Sequence, residues 1–408
     1  MNPLNIIVVN DHLHVAGGSD QIALSSAIAL ADRGYQVTIF SAVGPAIPEL
    51  LHRENLSLIC SEQLPILKDS DRLRASVQGI WNAKPAKMLA DLLQTLSPHE
   101  TVIHVHSWTK ALSSSVVSVA LKKKFRVVFT LHDYFIACPT GSFFNHPKQT
   151  ICNLSPMGVA CLKENCDSRS YSHKAWRLGR QFVQAEFGLI PKDVKNFIAI
   201  SNYSRSVIEP YLPKDAVIHL VDNPIAIAQG APVSVRKNNH FVFVGRLAKE
   251  KGPNLFAEAA QELGCKALFV GDGECRQQIS QINPTAEITG WVSQSEVAGY
   301  LKQARALIFP SLWHETQGLV VAEAAAMGVP AIVPNTCAAR DFVVDGITGF
   351  WFKGGDSEDL RQKIAQLNDP ELAHKMGLAA HERYWSNPAT IERHVEQLEK
   401  VYANILIS

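Results

Sequence analysis

Nothing in these 408 residues supplies a strong field, a membrane span or a covalent frame. Net charge is only +1, so no bulk attraction to nucleic acid is expected. The mild basic excess of residues 1–230 over the remainder only hints at an anionic surface for the first half. The longest apolar stretch, Gly318 to Pro334, carries Glu323 and is broken by Gly328-Val329-Pro330, which excludes a transmembrane helix. Asn5 to Asn10 is too short for a secretory h-region and lacks a basic flank, so the chain is expected in the cytosol with reduced thiols. Short repeats and low-complexity tracts are absent. Neither glycine loop reads Gly-x-Gly-x-x-Gly followed by a ribose-binding acid, which disfavours an NAD dehydrogenase.

What is present is an ordinary globular balance, 47% hydrophobic and 19% charged, on a chain long enough for two domains. Asn5–Val9 reads as a strand, Ser19–Arg33 as a helix ended by Gly34, and Gln36–Ser41 as the next strand. The pattern recurs at Thr101–His106, Arg126–Thr130, Asn196–Ile200 and Val217–Val221. It starts again at His240–Val244, Ala267–Val270, Ala286–Ile288, Ala306–Phe309 and Ala331–Val333. Uniformly apolar strands alternating with helices imply parallel sheets covered on both faces. The expectation is α/β: two facing doubly wound domains, residues 1–226 and 240–385, joined by a 227–239 linker. A C-terminal helix within 386–408 is expected to cross back onto the first domain. Ligands of such folds bind at the carboxyl ends of the strands.

Chemistry concentrates in Pro310-Ser311-Leu312-Trp313-His314-Glu315-Thr316-Gln317-Gly318-Leu319, where a strand gives way to a loop and then a helix. The free N–H groups and positive dipole end of that helix make an anion site. Glu315 and Glu323 are too far apart for a carboxylate dyad, but are placed to hold opposite ends of an extended ligand. Arg246 follows a strand, and Lys251 is expected to open the next helix, where it would oppose the dipole unless an anion binds there. Bland readings stand beside these, a surface loop Glu and a solvated charge run. Asp69-Ser70-Asp71 has the form of a divalent-cation motif, yet an N-cap before a helix is the simpler account.

Cys138, Cys152, Cys161 and Cys166 cluster in a polar stretch just after His132-Asp133. Four cytosolic thiols suggest a structural Zn²⁺ site. The spacing is not the tight paired kind, so ordinary buried thiols and a redox pair stay open. Cys60, Cys265, Cys275 and Cys337 are expected to be packing residues.

Gly245 to Gly252, Val270-Gly271-Asp272-Gly273, Gly290-Trp291-Val292, the Glu315…Glu323 pair and Asp345-Gly346-Ile347-Thr348-Gly349 resemble the family 4 retaining glycosyltransferases. So do Gly17-Gly18, Thr130-Leu131-His132-Asp133 and Ser201-Asn202 in the first half. The resemblance implies the GT-B architecture and transfer of a sugar, UDP-sugars favoured, to a saccharide or lipid-linked saccharide. It implies that Arg246, Lys251, Gly17, Gly18, Gly318 and Leu319 meet the donor diphosphate and that Glu323 holds the ribose. The base would pack near Gly271, Asp272, Gly273, Trp291 and Val292, while His132 and Glu315 attend the transferred sugar. His104 and His106 flank a strand end similarly. No catalytic cofactor is implied beyond the donor itself. A lipid-linked acceptor would bring peripheral contact with the cytoplasmic membrane face, for which Lys122-Lys123-Lys124 and Arg126 are candidates. A nucleotide-sugar epimerase of the same fold, or a silent binding subunit, are the alternatives. Gln317, where an aromatic or Pro is common, and Ala338-Ala339, where Gly is frequent, depart from the family pattern around the sugar pocket.

Overall fold

The computed structural model describes residues 4–407. The first sheet holds β1 (Asn5–Val9), β2 (Gln36–Ser41), β3 (Leu56–Cys60), β4 (Thr101–Val105) and β5 (Arg126–Leu131). After a small hairpin, β6 (Phe144–Asn145) and β7 (Thr150–Ile151), it is completed by β8 (Asn196–Ala199) and β9 (Val217–Leu220). The spatial order is β3-β2-β1-β4-β5-β8-β9, and the pairings along it are parallel. The second sheet, β12-β11-β10-β13-β14-β15, is parallel as well. Its strands are β10 (His240–Val244), β11 (Lys266–Val270), β12 (Glu287–Ile288), β13 (Ala304–Ile308), β14 (Ala331–Pro334) and β15 (Gly349–Phe352). In each sheet the order reverses beside the first strand, which opens a crevice at the carboxyl ends.

Continuous apolar runs form these strands because both faces are covered. In β1, Ile6 and Val8 join one core with the helix Gly18–Asp32, while Ile7 and Val9 join another on the opposite face. The helix Ile391–Ile407 packs on the first of these cores rather than on the second sheet. It buries Val395, Leu398, Val401, Tyr402 and Ile405 there, each worth on the order of 1.5–3 kcal/mol in transfer from water. Polar ties fix its register: His394 Nε2 meets Ser26 Oγ at 2.8 Å, and the Tyr402 hydroxyl meets His104 Nδ1 at 2.7 Å.

Two strands and one helix start differ from expectation. β3 is a half-exposed edge strand interrupted by Ser57, and β15 is an apolar strand of only four residues opening on glycine; neither is among the strands expected from the sequence. Lys251 does not open a helix. It ends the 3₁₀ turn Lys249–Lys251, and the α-helix Pro253–Leu263 begins beyond Gly252, which sits at φ +65° with Pro253 at the first helical position.

Candidate active site

The loop after β13 and the helix Leu319–Ala326 carry the second domain's contribution. Gly318 caps this helix at φ +108°, where a Cβ would lie 2.9 Å from Ala339 Cβ, so both backbone conformation and space call for glycine. Just before it, Glu315 is ion-paired with Lys251 and accepts from Ser311 Oγ at 3.0 Å. The Lys251 ammonium also lies 5.2 Å from the centre of the Trp313 ring. Thus Lys251 is not a lone cation against a dipole; it joins two loops through a carboxylate. Arg246 behaves likewise, pairing with buried Glu250 at 2.5 Å while most of its own side chain faces solvent.

Glu323 lies in the second turn of the same helix, half-buried, accepting from Gln294 Nε2 at 2.9 Å. Burial raises its carboxyl above the usual range and Gln294 opposes the rise. Of the residues expected to meet the base, Gly271 and Gly273 serve backbone approach. Their φ values are +144° and +156°, and a Cβ would strike Gly245 O at 2.0 Å or Leu247 O at 2.5 Å. Asp272 pairs with Arg276 at 3.3 Å, Trp291 is 71% exposed, and Val292 is half-buried beside the second core.

Across the cleft stand histidines from the ends of β4 and β5. His132 Nε2 and His106 Nδ1 are 2.9 Å apart and their rings stack. His106 Nε2 is buried with no hydrogen-bond partner among the described residues. An orphaned N–H is worse than an orphaned lone pair, so His106 carries its proton on Nδ1 and donates to His132. That leaves the His132 proton on Nδ1. Burial, then the nearby His394, drives the His132 pKa down to about 3, so the ring is neutral at working pH. His104 is structural: its nitrogens meet Tyr402 and Thr130 Oγ1, at 2.7 and 2.6 Å, and its pKa also falls to about 3.

Residues 16–229 match the family described as Glycosyltransferase Family 4, and residues 228–383 match Glycosyl transferases group 1. The chain belongs to the family 4 glycosyltransferases. It is 26% identical over 396 residues to an Escherichia coli UDP-Gal:α-D-GlcNAc-diphosphoundecaprenol α-1,3-galactosyltransferase, covering 88% of this chain and 92% of that one. An uncharacterised glycosyltransferase of Methanocaldococcus jannaschii is 26% identical over 216 residues, 51% of this chain and 59% of its own length. Among solved structures, sucrose-phosphate synthase from Thermosynechococcus elongatus superposes with a TM-score of 0.72 at 17% identity, over 99% of both chains. An Anabaena protein crystallised with UDP gives 0.66 at 16% identity, over 98% of this chain and 100% of that one. The last two establish the GT-B fold. The chain is a glycosyltransferase using a nucleotide-sugar donor.

In this glycosyltransferase the two halves of the site touch. Thr316 Oγ1 donates to His132 O at 2.9 Å, Ser201 Oγ donates to Thr316 O at 2.8 Å, and Tyr203 OH meets His314 Nδ1 at 2.6 Å. Gln317 is buried and accepts from Asn223 Nδ2 at 2.6 Å. Its departure from the family pattern therefore supplies a polar tie where the chain leaves the first sheet. Ala338 N donates to Glu315 O at 3.1 Å, and Ala339 packs on Gly318.

The first domain also holds charged groups that spacing did not single out. Asp20, in the first turn after Gly17-Gly18, is fully buried against His12 Nδ1 (3.2 Å) and Asn10 Nδ2 (3.0 Å), with Lys110 Nζ 3.9 Å away. Burial pushes its carboxyl up, but His12, Lys110 and Asn10 outweigh that and hold it below the usual range. A Cβ on Gly17 would come within 4 Å of both Asp20 and Lys110, whereas Gly18 faces open space. An acid three residues after a glycine was the available signal.

Other candidates resolve plainly. Asp71 caps the helix Arg72–Ile80 by accepting from Arg74 N, and Asp69 is ion-paired with Arg74. Arg126 is unavailable to a membrane, because its guanidinium donates to Pro98 O, Ile405 O and Leu406 O. No helix among the described residues is long and apolar enough to cross a membrane. Cys275 and Cys337 are buried in the core around the second sheet, and Cys60 and Cys265 pack at core edges. Cys138, Cys152, Cys161 and Cys166 line one small cavity together with Lys174.

Proposed function

We propose that the chain is a retaining, metal-independent transferase that moves a sugar from a UDP-sugar to a saccharide or lipid-linked saccharide in glycan assembly. The observation that carries this reading is the Lys251–Glu315 pair beside the Gly318 cap, hydrogen-bonded through Thr316 to His132. In the proposed complex Arg246, Lys251 and the N–H groups of Gly318 and Leu319 neutralise the diphosphate as the glycosidic bond breaks, a charge that is largest in the transition state. Gly17-Gly18 approaches the same phosphates from the first domain. Glu323 accepts from the ribose hydroxyls, and the base packs by Gly271–Gly273 and the Trp291-Val292 loop. Glu315 orients sugar hydroxyls, and His132 presents its Nδ1–H to the transferred sugar as a neutral donor.

UDP is favoured because the Escherichia coli relative is described as using UDP-Gal and the Anabaena structure contains UDP. The lipid-linked acceptor class rests on the same relative's diphosphoundecaprenol substrate, and it would bring the enzyme to a membrane surface. Thermal stabilisation by UDP-, GDP- and ADP-sugars, followed by hydrolysis without acceptor, tests the donor. Product anomeric configuration by NMR tests retention. Selective stabilisation by GDP- or ADP-sugars would overturn the UDP assignment. Conversion of the donor to its epimer without release of nucleotide would replace transfer by epimerisation.

A further inference from the structure

Between β5 and the helix Tyr171–Glu186, the chain makes a long excursion whose only regular elements are the two-residue strands β6 and β7 and the helix Val159–Lys163. Segments this long with so little regular secondary structure are uncommon in compact domains. Cys138, Cys152, Cys161 and Cys166 come from separate parts of it and converge on one small cavity, otherwise walled mainly by apolar side chains.

Lys174 enters that cavity from the helix. It is fully buried, and its ammonium donates to Cys166 Sγ at 3.0 Å and Cys161 Sγ at 3.5 Å. Both acceptors are sulfurs, not carboxylates. A buried ammonium needs polar partners, and here they are two of the four cysteine sulfurs that meet at the cavity.

We propose that Cys138, Cys152, Cys161 and Cys166 bind one zinc ion as thiolates, with Lys174 as their hydrogen-bonded counter-ion. Among the described residues no three His, Cys, Asp or Glu side chains stand in ligating positions. The Lys174 ammonium is the stand-in cation. Zinc–sulfur bonds of about 2.3 Å draw the four sulfurs inward by side-chain rotation, and the ammonium remains at their outer side as an N–H···S donor. The thiol protons leave to solvent. Four thiolates and Zn²⁺ carry two negative charges, one of which Lys174 offsets.

The same helix braces the stretch that follows His132. Arg180 donates to Pro139 O at 3.4 Å, Gln181 to Ile136 O at 3.3 Å and Gln184 to Phe135 O at 3.1 Å. A metal fixing Cys138 to this helix through Lys174 would therefore complete the fastening of one continuous wall, from Asp133 to Cys166.

The test uses the full chain purified without chelator. Elemental analysis should give about one zinc per chain, and a strong chelator should expose thiols that do not titrate in its absence, the buried Cys275 and Cys337 needing denaturant. Cobalt substituted for zinc should show the absorption of a tetrahedral thiolate centre. Cys152→Ser and Cys161→Ser should each lose the metal and melt lower. Lys174→Met should weaken zinc about 10–100-fold in chelator competition, where a purely packing role for this side chain would leave affinity unchanged. Metal-free purified protein whose thiol reactivity is unchanged by chelator, or a Cys161–Cys166 disulfide in the purified chain, would overturn the proposal. Should the serine variants fail to fold, metal content and thiol protection of the unaltered chain still decide.

Discussion

The hydroxyl of Thr316, in the donor-side loop, donates at 2.9 Å to the backbone carbonyl of His132, on the opposite domain. With Ser201 on the Thr316 carbonyl and Tyr203 on His314, this contact helps set the spacing between the residues assigned to the phosphates and the residue assigned to the sugar.

Thr316→Val should lower kcat by about 2–10-fold, the range for one neutral hydrogen bond of roughly 0.5–1.5 kcal/mol. Affinity for free nucleoside diphosphate should hardly change, and Thr316→Ser should restore turnover. Steady-state kinetics beside calorimetric titration of UDP separates the two. Equal losses of both would mean that the contact shapes the nucleotide pocket.

Glu323→Ala should weaken donor binding by roughly 10–100-fold with modest change in kcat, because a ribose contact is alike in ground and transition states. His132→Ala should do the reverse. Since burial raises the Glu323 carboxyl, nucleotide affinity should fall on acidification at a higher pH than an ordinary glutamate would dictate. The His132 pKa of about 3 means that the rate should show no inflection from this ring between about pH 5 and 8. An inflection abolished by His132→Ala would show that the ring charges during turnover.

How much of this could be read along the chain depends on where each constraint originates. The strands buried on both faces announced themselves as apolar runs. β15 is an apolar run too, but only four residues long and opening on a glycine that Ala331 O requires, since a Cβ there would meet it at 2.1 Å. Arg246, Lys251, Glu315 and Glu323 stood out by residue type and spacing. Their pairings did not, since the Lys251–Glu315 contact depends on β10 and β13 being neighbours. The His106–His132 contact arises the same way, from the parallel pairing of β4 with β5.

Asp133 offers a test on stability rather than turnover. Burial raises its carboxyl to about 6, against the hydrogen bond it accepts from Phe135 N. A raised acid contributes stability that is complete below its unfolded pKa, about 3.9, and is lost as pH rises through the folded value. Asp133→Asn keeps an acceptor that never ionises. It should melt like the parent below about pH 4 and gain on it above pH 6, by on the order of 3 kcal/mol. A constant offset at all pH would assign the effect to packing.

Transfer should survive EDTA on the time scale of a single assay, because Arg246, Lys251 and the Gly318 helix start supply the positive potential. Asp71→Ala should lower stability by about 1 kcal/mol through the lost cap and leave donor kinetics unchanged. Rapid loss on chelation, reversed by Mg²⁺ or Mn²⁺, would contradict both expectations. Slow loss accompanied by unfolding would point to the cysteine centre instead.

The polypeptide passes between the sheets once on leaving Asp222 and again on returning to the helix Ile391–Ile407, and the two passages are stitched together. Ile225 N donates to Ala389 O at 2.8 Å, His394 Nδ1 meets Asp222 O at 2.7 Å, and Arg393 pairs with Asp222 at 3.0 Å. Mechanically this is a doubled strap. A single thread would let one lobe swivel and slide against the other, whereas two bonded side by side resist twist and stretch far more than they resist folding. A knee-like bend about this strap is the motion that would part Thr316 from His132.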